Sequence, residues 1–404
     1  MQAAGDLAPE DTPDGRIPRN VKALGLVSLL TDASSEMVYP ILPLFLANVL
    51  HAPVSAIGLI ESIAEATASF MKVASGYISD RVGRRRRLIA IGYTLSNITK
   101  PLLALTGSWP AVLGLRFGDR FGKGVRTAPR DALIADSSTE EHRGRDFGVH
   151  RALDTLGAAI GPLTAWAILT LVPNGYRTVF WVSAIPGALA IMVVLTMVRE
   201  KRIRTSGEPR PALRLRHMGK PFAIFTAASF VFALGNSSDA MLILRAQDLG
   251  TTAALVPLMY FVFNVVAAAL SAPFGIHSDK VGRKRVIVLG FLLYAAVYAG
   301  FAVAGRPLHV WLLFAAYGIP YAMTEGITRA YVMDLVGSDV RGTAVGGYMF
   351  VLGLAALPAS SVAGLLWDNV SHAAPFALSA GLMALAAIGF AIFGRTPRSR
   401  TAQA

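Results

Sequence analysis

Apolar residues along this chain come in runs of roughly 20, bounded by charge, proline or glycine. That is the length at which a helix rising 1.5 Å per residue crosses the hydrocarbon core of a bilayer. The pattern predicts helical spans at 22–49, 55–79, 88–106, 110–135, 144–172 and 177–198, then at 221–247, 253–277, 286–304, 309–335, 342–367 and 373–394. They form two sets of six. Between the sets, Arg199, Lys201, Arg202, Arg204, Arg210, Arg214, Arg216 and Lys220 crowd a stretch with no long apolar run. The predicted organisation is therefore a tail at 1–20, a first six-helix bundle at 21–198, a linker at 199–220, a second bundle at 221–394 and a tail at 395–404. The predicted fold class is an all-α membrane protein with twelve transmembrane helices in two pseudo-symmetric six-helix bundles.

Composition agrees with a bilayer and not with water. The 404 residues are 54% hydrophobic and only 16% charged, where a soluble domain carries about 25% charge. No cysteine is present, which removes disulfides, thiolate metal ligands and cysteine nucleophiles together. The first 20 residues hold Asp6, Glu10, Asp11 and Asp14 without an apolar run, so they form no secretory signal and the first span is expected to be uncleaved. The net charge of +13 is distributed unevenly. Alternate connections carry Arg84 to Arg87, Arg143 and Arg145, the linker, Lys280 to Arg285 and Arg341, whereas the opposite ones hold essentially Arg177 and Arg306. The positive-inside rule then places both termini in the cytoplasm of a cell (plasma or inner) membrane. The basic excess is explained by topology, and no nucleic-acid partner is expected.

An internal repeat links the halves: Gly76-Tyr-Ile-Ser-Asp-Arg-Val-Gly-Arg-Arg-Arg86 recurs as Gly275-Ile-His-Ser-Asp-Lys-Val-Gly-Arg-Lys-Arg285, each after the second span of its set. A looser echo pairs Ser35-Glu36 with Ser238-Asp239. With these motifs the chain resembles the major facilitator superfamily (MFS) over nearly its whole length, and is closest to the type of bacterial drug/proton antiporters. The signature of that family looks like Gly76, Asp80, Arg81, Gly83 and Arg84, and again Asp279, Lys280, Gly282 and Arg283. The resemblance implies a conformational latch at these helix ends, made and broken as access alternates. Arg120-Phe-Gly-Lys-Gly124 fits the family's second pattern, although Arg116 competes for the alignment. Gly157-Ala-Ala-Ile-Gly161-Pro162 is similar to the helix-packing motif associated with antiporters, without its following glycine pair. Glycine every fourth residue also packs helices in any membrane protein.

Ionisable groups inside a span are costly and mark a wet cavity, a partner or a pathway. Span one holds Asp32 and Glu36. Span four holds Arg116, Asp119, Arg120, Lys123, Arg126, Arg130 and Asp131, span seven Asp239 and Arg245, and span ten Glu325, Arg329 and Asp334. Span three has only Lys100, and the interiors of spans six, nine and twelve have none. In the resembled family spans one, four, seven and ten line the central cavity. Asp32 and Glu36 lie four residues apart on one helix face, at a depth similar to Lys123 and Arg126, so an acid–base pairing across the cavity is expected, either to couple protons or as a fixed ion pair. Glu61 and Glu65 in span two read as a proton entry point or as partners of a neighbouring helix. Glu325 with Arg329, and Arg151 with Asp154, read as self-neutralising pairs. The candidates for substrate binding or proton coupling are thus Asp32, Glu36, Glu61, Glu65, Lys123, Arg126, Arg130, Asp239, Glu325 and Arg329.

The seven histidines form no metal constellation, no phosphate-cradling glycine loop appears, and no catalytic arrangement is visible. The chain is expected to be no enzyme, to need no cofactor or resident metal, and to work as a monomer in the lipid bilayer, with a small-molecule substrate and protons as its partners. The leading reading is a secondary transporter exporting a small organic compound against protons. Uptake or exchange of an anionic metabolite or metal chelate is the alternative, motivated by the basic stripe of span four. A membrane sensor without transport is the remote one.

Overall fold

Two of the predicted spans are not continuous helices, and the sequence shows why. Pro40 cannot donate a backbone hydrogen bond, and the first span breaks there into α1 (Arg19–Val38) and α2 (Leu42–Asn48). The seventh breaks after Gly235 into α8 (Gly219–Gly235) and α9 (Asp239–Asp248), with Ser238 as N-cap, its side chain accepting from the Ala240 amide at 3.3 Å. The other spans are single helices: α3 (Val54–Val82), α4 (Arg85–Leu102), α5 (Trp109–Ser137), α6 (Arg143–Leu171) and α7 (Tyr176–Met197) in the first half. The second half has α10 (Val256–Val281), α11 (Arg283–Val303), α12 (Pro307–Asp334), α13 (Arg341–Asn369) and α14 (Ala374–Phe393). The computed structural model describes residues 16–82, 84–139, 141–200, 218–337 and 340–395, without the side chains of Asp80 and Val82. Most of the basic linker and both distal tails lie outside the described residues.

Among the described residues, nine segments are long and apolar enough to cross a membrane. The three spans that are not are α1/α2, α5 and α12. These are three of the four that carry the embedded charges, as expected of helices that face one another and not lipid.

Within the first half α1 packs on α6 and α7, and α5 on α3 and α4; within the second, α14 packs on α8 and α11, and α12 on α10 and α11. Two seams join the halves, α3 with α13 and α6 with α10. The first is the tighter. A Cβ at Gly58 would sit 2.2 Å from the Ser360 carbonyl oxygen, and one at Gly364 2.6 Å from that of Val54. Small residues thus let the two backbones touch. Polar contacts stitch the same line, with Ser361 Oγ donating to Ser62 Oγ at 2.9 Å.

On the side of the bundle away from the termini, the broken half-helices α2 and α9 meet, and the Gln247 amide donates to Asn48 at 2.9 Å. There Asp368, at the end of α13, accepts from the backbone amides of Val54 (3.2 Å) and Ser55 (2.8 Å) and so caps α3 from the other half of the molecule. His372, stacked on Trp367, reaches Asp248 at 2.7 Å. These contacts tie the two halves together on the far side.

The repeated motif ties helix ends on the terminus-bearing side. Gly282, at φ +96°, turns the chain between α10 and α11 in a conformation that favours glycine. Arg283 then reaches Asp279 at 2.8 Å and also bonds Asp334 of α12. In the first half Arg85 pairs with Asp136, linking α4 to α5 in the same manner. Arg81 lies over the Tyr77 ring at 4.4 Å, Arg84 precedes α4, Lys280 is exposed, and Gly76 packs against Ala128. Gly83 and the side chain of Asp80 lie outside the described residues.

Removing the trans cap should open the far side. Asp368→Ala costs about 1 kcal/mol of capping energy, about a fivefold shift toward the open state. In a chain with no native cysteine, labelling of a Ser62→Cys reporter by an impermeant maleimide should accelerate by about that factor.

Candidate functional site

The position of α5 is set by its glycines. Gly122 abuts α4, where an added Cβ would stand 2.6 Å from the Gly92 carbonyl oxygen, and Gly124 abuts α3, 2.9 Å from that of Ala68. With both flanks in backbone contact, the long charged side chains of α5 are left the remaining face. They line a narrow cavity of about 30 Å³ together with α1 and α4. Its walls are Asp32, Ser35, Glu36, Val38 and Tyr39 from α1, Ser96, Thr99, Lys100 and Leu103 from the end of α4, and Leu115, Arg116, Asp119, Arg120, Lys123 and Arg126 from α5.

The charges on α5 divide into two groups. Toward the far side each is ion-paired, although Arg120 Nε is buried without a hydrogen-bond partner. Arg116, 6% exposed, holds Glu61 in a two-pronged pair (Nε–Oε1 3.1 Å, Nη2–Oε2 3.2 Å) and also reaches Asp119 at 3.3 Å. Arg120 pairs with Glu65 at 3.5 Å, Asp119 accepts from Ser96 at 2.5 Å, and the Tyr39 ring lies beside both guanidinium groups. Glu61 and Glu65 are therefore partners of buried arginines. One contact crosses to the second half, from Ser238 Oγ to Glu61 Oε2 at 3.4 Å.

Deeper toward the terminus-bearing side the ion pairing stops. Lys123 and Arg126 form no ion pair among the described residues. Arg126 is 4% exposed, its guanidinium rests on the Tyr93 ring at 4.2 Å, and its Nε and Nη1 have no hydrogen-bond partner. Asp32, expected opposite these cations, instead has its carboxyl in hydrogen-bonding contact with Asp154 of α6. The cause is helix packing. Gly157 and Gly161 bring α6 so close to α1 that added Cβ atoms would stand 2.3 Å from the Leu29 and 2.7 Å from the Ala33 carbonyl oxygens. Pro162 is buried in the same helix. Glu36, whose Cβ faces Gly161, has its Oε2 buried without a partner. Arg130 turns away from the cavity to its neighbour Asp131, at 2.9 Å.

Asp154 also keeps its pair with Arg151, at 2.9 Å. Glu325 and Arg329 of α12 bond one another and take no part in the cavity. Asp239 opens α9 and is held by Tyr317 (2.8 Å) and Tyr260 (3.4 Å). Those tyrosines belong to an aromatic wall, with the Tyr260 ring tilted against Tyr39 at 5.5 Å and Phe263 between Tyr260 and Tyr317. The second half thus meets the charged first half with rings.

Sequence reasoning left most of the cavity wall out of its candidates, Tyr39 and Lys100 among them. Tyr39 gives no signal beyond its place beside Pro40. Lys100 does, as the one charge in its span. It is 3% exposed and donates to Asn97 (2.8 Å) and Ser34 (3.2 Å).

Residues 24–245 and 224–404 match the family model of the Major Facilitator Superfamily. An uncharacterised MFS-type transporter of Methanocaldococcus jannaschii is 37% identical over 371 residues, covering 90% of this chain and 92% of that one. A probable 4-methylmuconolactone transporter of Cupriavidus pinatubonensis is 25% identical, covering 84% and 80%. A crystal structure of a mutant of the nucleoside transporter NupG superposes with a TM-score of 0.78 at 16% identity, over 93% of this chain and 100% of that one.

The paired region predicts a non-additive result. Glu61→Gln strands a buried guanidinium and should cost about 3 kcal/mol, while the Glu61→Gln, Arg116→Gln pair should recover most of that loss. Thermal melting in detergent checks the order: single variant lowest, double variant between it and the wild type.

Proposed function

The chain belongs to the Major Facilitator Superfamily and is a multi-pass membrane transporter, and on that premise we propose that it is a secondary active carrier working by alternating access, taking a small organic anion together with a proton. The observation that carries this reading is Arg126, a buried guanidinium facing a cavity with two N–H groups unpartnered, beside the unpaired Lys123. A buried donor without an acceptor is costly, and a carboxylate seated across Arg126 and Lys123 would relieve it through charge-assisted bonds.

The proton enters through Asp32. Two carboxyl groups in hydrogen-bonding contact need one proton between them. While Asp32 shares that proton with Asp154 it does not compete for Arg126, and the cations are left for substrate. Loss of the proton frees the Asp32 carboxylate for Arg126 and expels the anion. Proton and anion therefore favour each other's binding and move in the same direction. With the terminus-bearing face in the cytoplasm and the two halves tied together on the far side, the arrangement corresponds to a carrier closed to the outside. The ties of Asp279, Arg283 and Asp334, and of Arg85 and Asp136, act in this reading as latches that part when access alternates.

The sequence alone favoured proton-driven efflux of a drug-like compound, and one observation supports that second reading. Glu36 Oε2 is buried and unpartnered at the edge of the same cavity, where a cationic compound would compete with a proton for the carboxylate.

The two readings separate in liposomes reconstituted with the full chain under an imposed pH gradient, offering aromatic and aliphatic carboxylates and, in parallel, organic cations. On the anion reading, carboxylates accumulate on the alkaline side. Arg126→Gln then raises their KM by about 30-fold to 150-fold, the loss of a charge-assisted contact of about 2–3 kcal/mol, and Arg126→Lys recovers part of it. On the efflux reading, cations accumulate on the acidic side, Arg126→Gln leaves them unaffected, and Glu36→Gln abolishes their transport.

A further inference from the structure

The contact between Asp32 and Asp154 lies well inside the first half, and a proton has to reach it. The face of α6 that carries Asp154 carries two more titratable side chains at helical spacing, Asp146 and His150, each four residues from the next and so about 6 Å apart along the axis. Asp146 and His150 are buried, and Asp154 is half-buried. Asp146 is fully buried, and its Oδ1 accepts from Arg145 (Nε 3.1 Å, Nη2 3.0 Å) while its Oδ2 has no partner. His150 is 5% exposed, and its Nε2 also has none. Asp154 accepts from Ser28 at 2.7 Å and from Arg151 at 2.9 Å and meets Asp32. The backbone of His150 lies against Gly25, with its Cα 3.8 Å from where a Cβ at Gly25 would stand, which puts the histidine in the tight α1–α6 interface. A buried histidine and a buried aspartate with open valences, in line with a carboxyl pair, have no packing role that an apolar residue would not fill better.

We propose that Asp146, His150 and Asp154 form a proton relay along α6, delivering a proton from the terminus-bearing side to Asp32. The proposal rests on the reading of Asp32 as the coupling site. Each transfer balances within the chain. The Asp146 carboxylic acid gives its proton to one ring nitrogen of His150 and is left as a carboxylate beside Arg145. The resulting imidazolium gives the proton on its other nitrogen to the Asp154 carboxylate, and the protonated Asp154 then bridges to the Asp32 carboxylate. Side-chain rotation and one bridging water span each gap.

The surroundings suit transient charge and do not trap it. From α5, Arg130 and Asp131 face His150, Arg130 faces Asp154, and Lys123 and Arg126 face Asp32. Arg151 accompanies Asp154 on α6 itself, and across the seam α12 sets Tyr321 near Arg151. Besides Asp32 and Glu36, α1 has charges only at its start, Arg19 and Lys22. From α10 comes Tyr260 and no other titratable group before His277, and α7 has none after Arg177. A cation and an anion thus flank His150 and Asp154, while Asp146 has the cation Arg145 beside it, so a proton passing through changes the local charge without being locked to one group.

The test needs no substrate. Infrared difference spectra of the full-length chain in liposomes, taken between acid and alkaline pH, read protonated carboxyl groups directly, and a pH jump reads how fast they fill. The expected result is a protonated-carboxyl band that disappears in Asp154→Asn and in Asp32→Asn and returns in Asp154→Glu, which also shows that the site still folds. In His150→Gln and Asp146→Asn the band remains, but its response to the jump slows by about tenfold or more. A band unchanged in Asp154→Asn, or a filling rate unchanged in His150→Gln, overturns the relay. A wild-type band with all these effects but no pH-driven transport of any carboxylate would instead refute the coupled-transport reading and leave the relay standing.

Discussion

A transmembrane helix bearing Arg116, Asp119, Arg120, Lys123 and Arg126 is tolerated only where its neighbours supply carboxylates, and that requirement governs the first half of this protein. Burying an ion without a partner costs several kcal/mol, so α3 must present Glu61 and Glu65 at the register of the two arginines, and α5 must lie close enough for them to meet. Glycine does the second part. Gly92, Gly122 and Gly124 bring α4, α5 and α3 into backbone contact, and the ion pairs follow from that spacing. The compensation is incomplete: ion pairs hold Arg116 and Arg120 toward the far side and end, among the described residues, before Lys123 and Arg126.

The two halves arose on one plan and now differ in chemistry. The repeated motif performs similar work in both, tying neighbouring helix ends by Arg85 with Asp136 and by Arg283 with Asp334. The interiors have diverged. Opposite the charged first half stand Tyr260, Phe263, Tyr294 and Tyr317, packed tilted or edge-on against one another around Asp239, which two of their hydroxyl groups hold in place. One wall supplies charge and the other polarizable surface, so that on the proposed carrier reading the parts suited to an amphipathic solute are divided between the two halves.

Much of the architecture was legible in the sequence. Span lengths, the duplicated Gly76 and Gly275 segments and the crowding of charge into spans one, four, seven and ten follow from the cost of polar groups in hydrocarbon, a one-dimensional constraint. The breaks in spans one and seven were written there too, in Pro40 and in Gly235-Asn-Ser-Ser-Asp239, but an apolar run does not show whether its helix is continuous. The pairing of charges was not legible. Asp32 has Lys123 and Arg126 at its depth and yet meets Asp154, because a helix angle set by Gly157 and Gly161 decides which neighbour arrives first. Depth can be counted along one helix, whereas azimuth depends on how two helices cross.

One tie on the far side has a property of its own. Asp368 is received by two backbone amides at the start of α3 and by no side chain, so the partner it needs is present whatever residues occupy positions 54 and 55, proline excepted. Mutational drift along α3 leaves the contact intact, while a single change at position 368 abolishes it. The Asp368 contact is thus genetically lopsided, with its vulnerability concentrated in the second half of the duplication, whereas the neighbouring bond from Gln247 to Asn48 needs a particular side chain from each half.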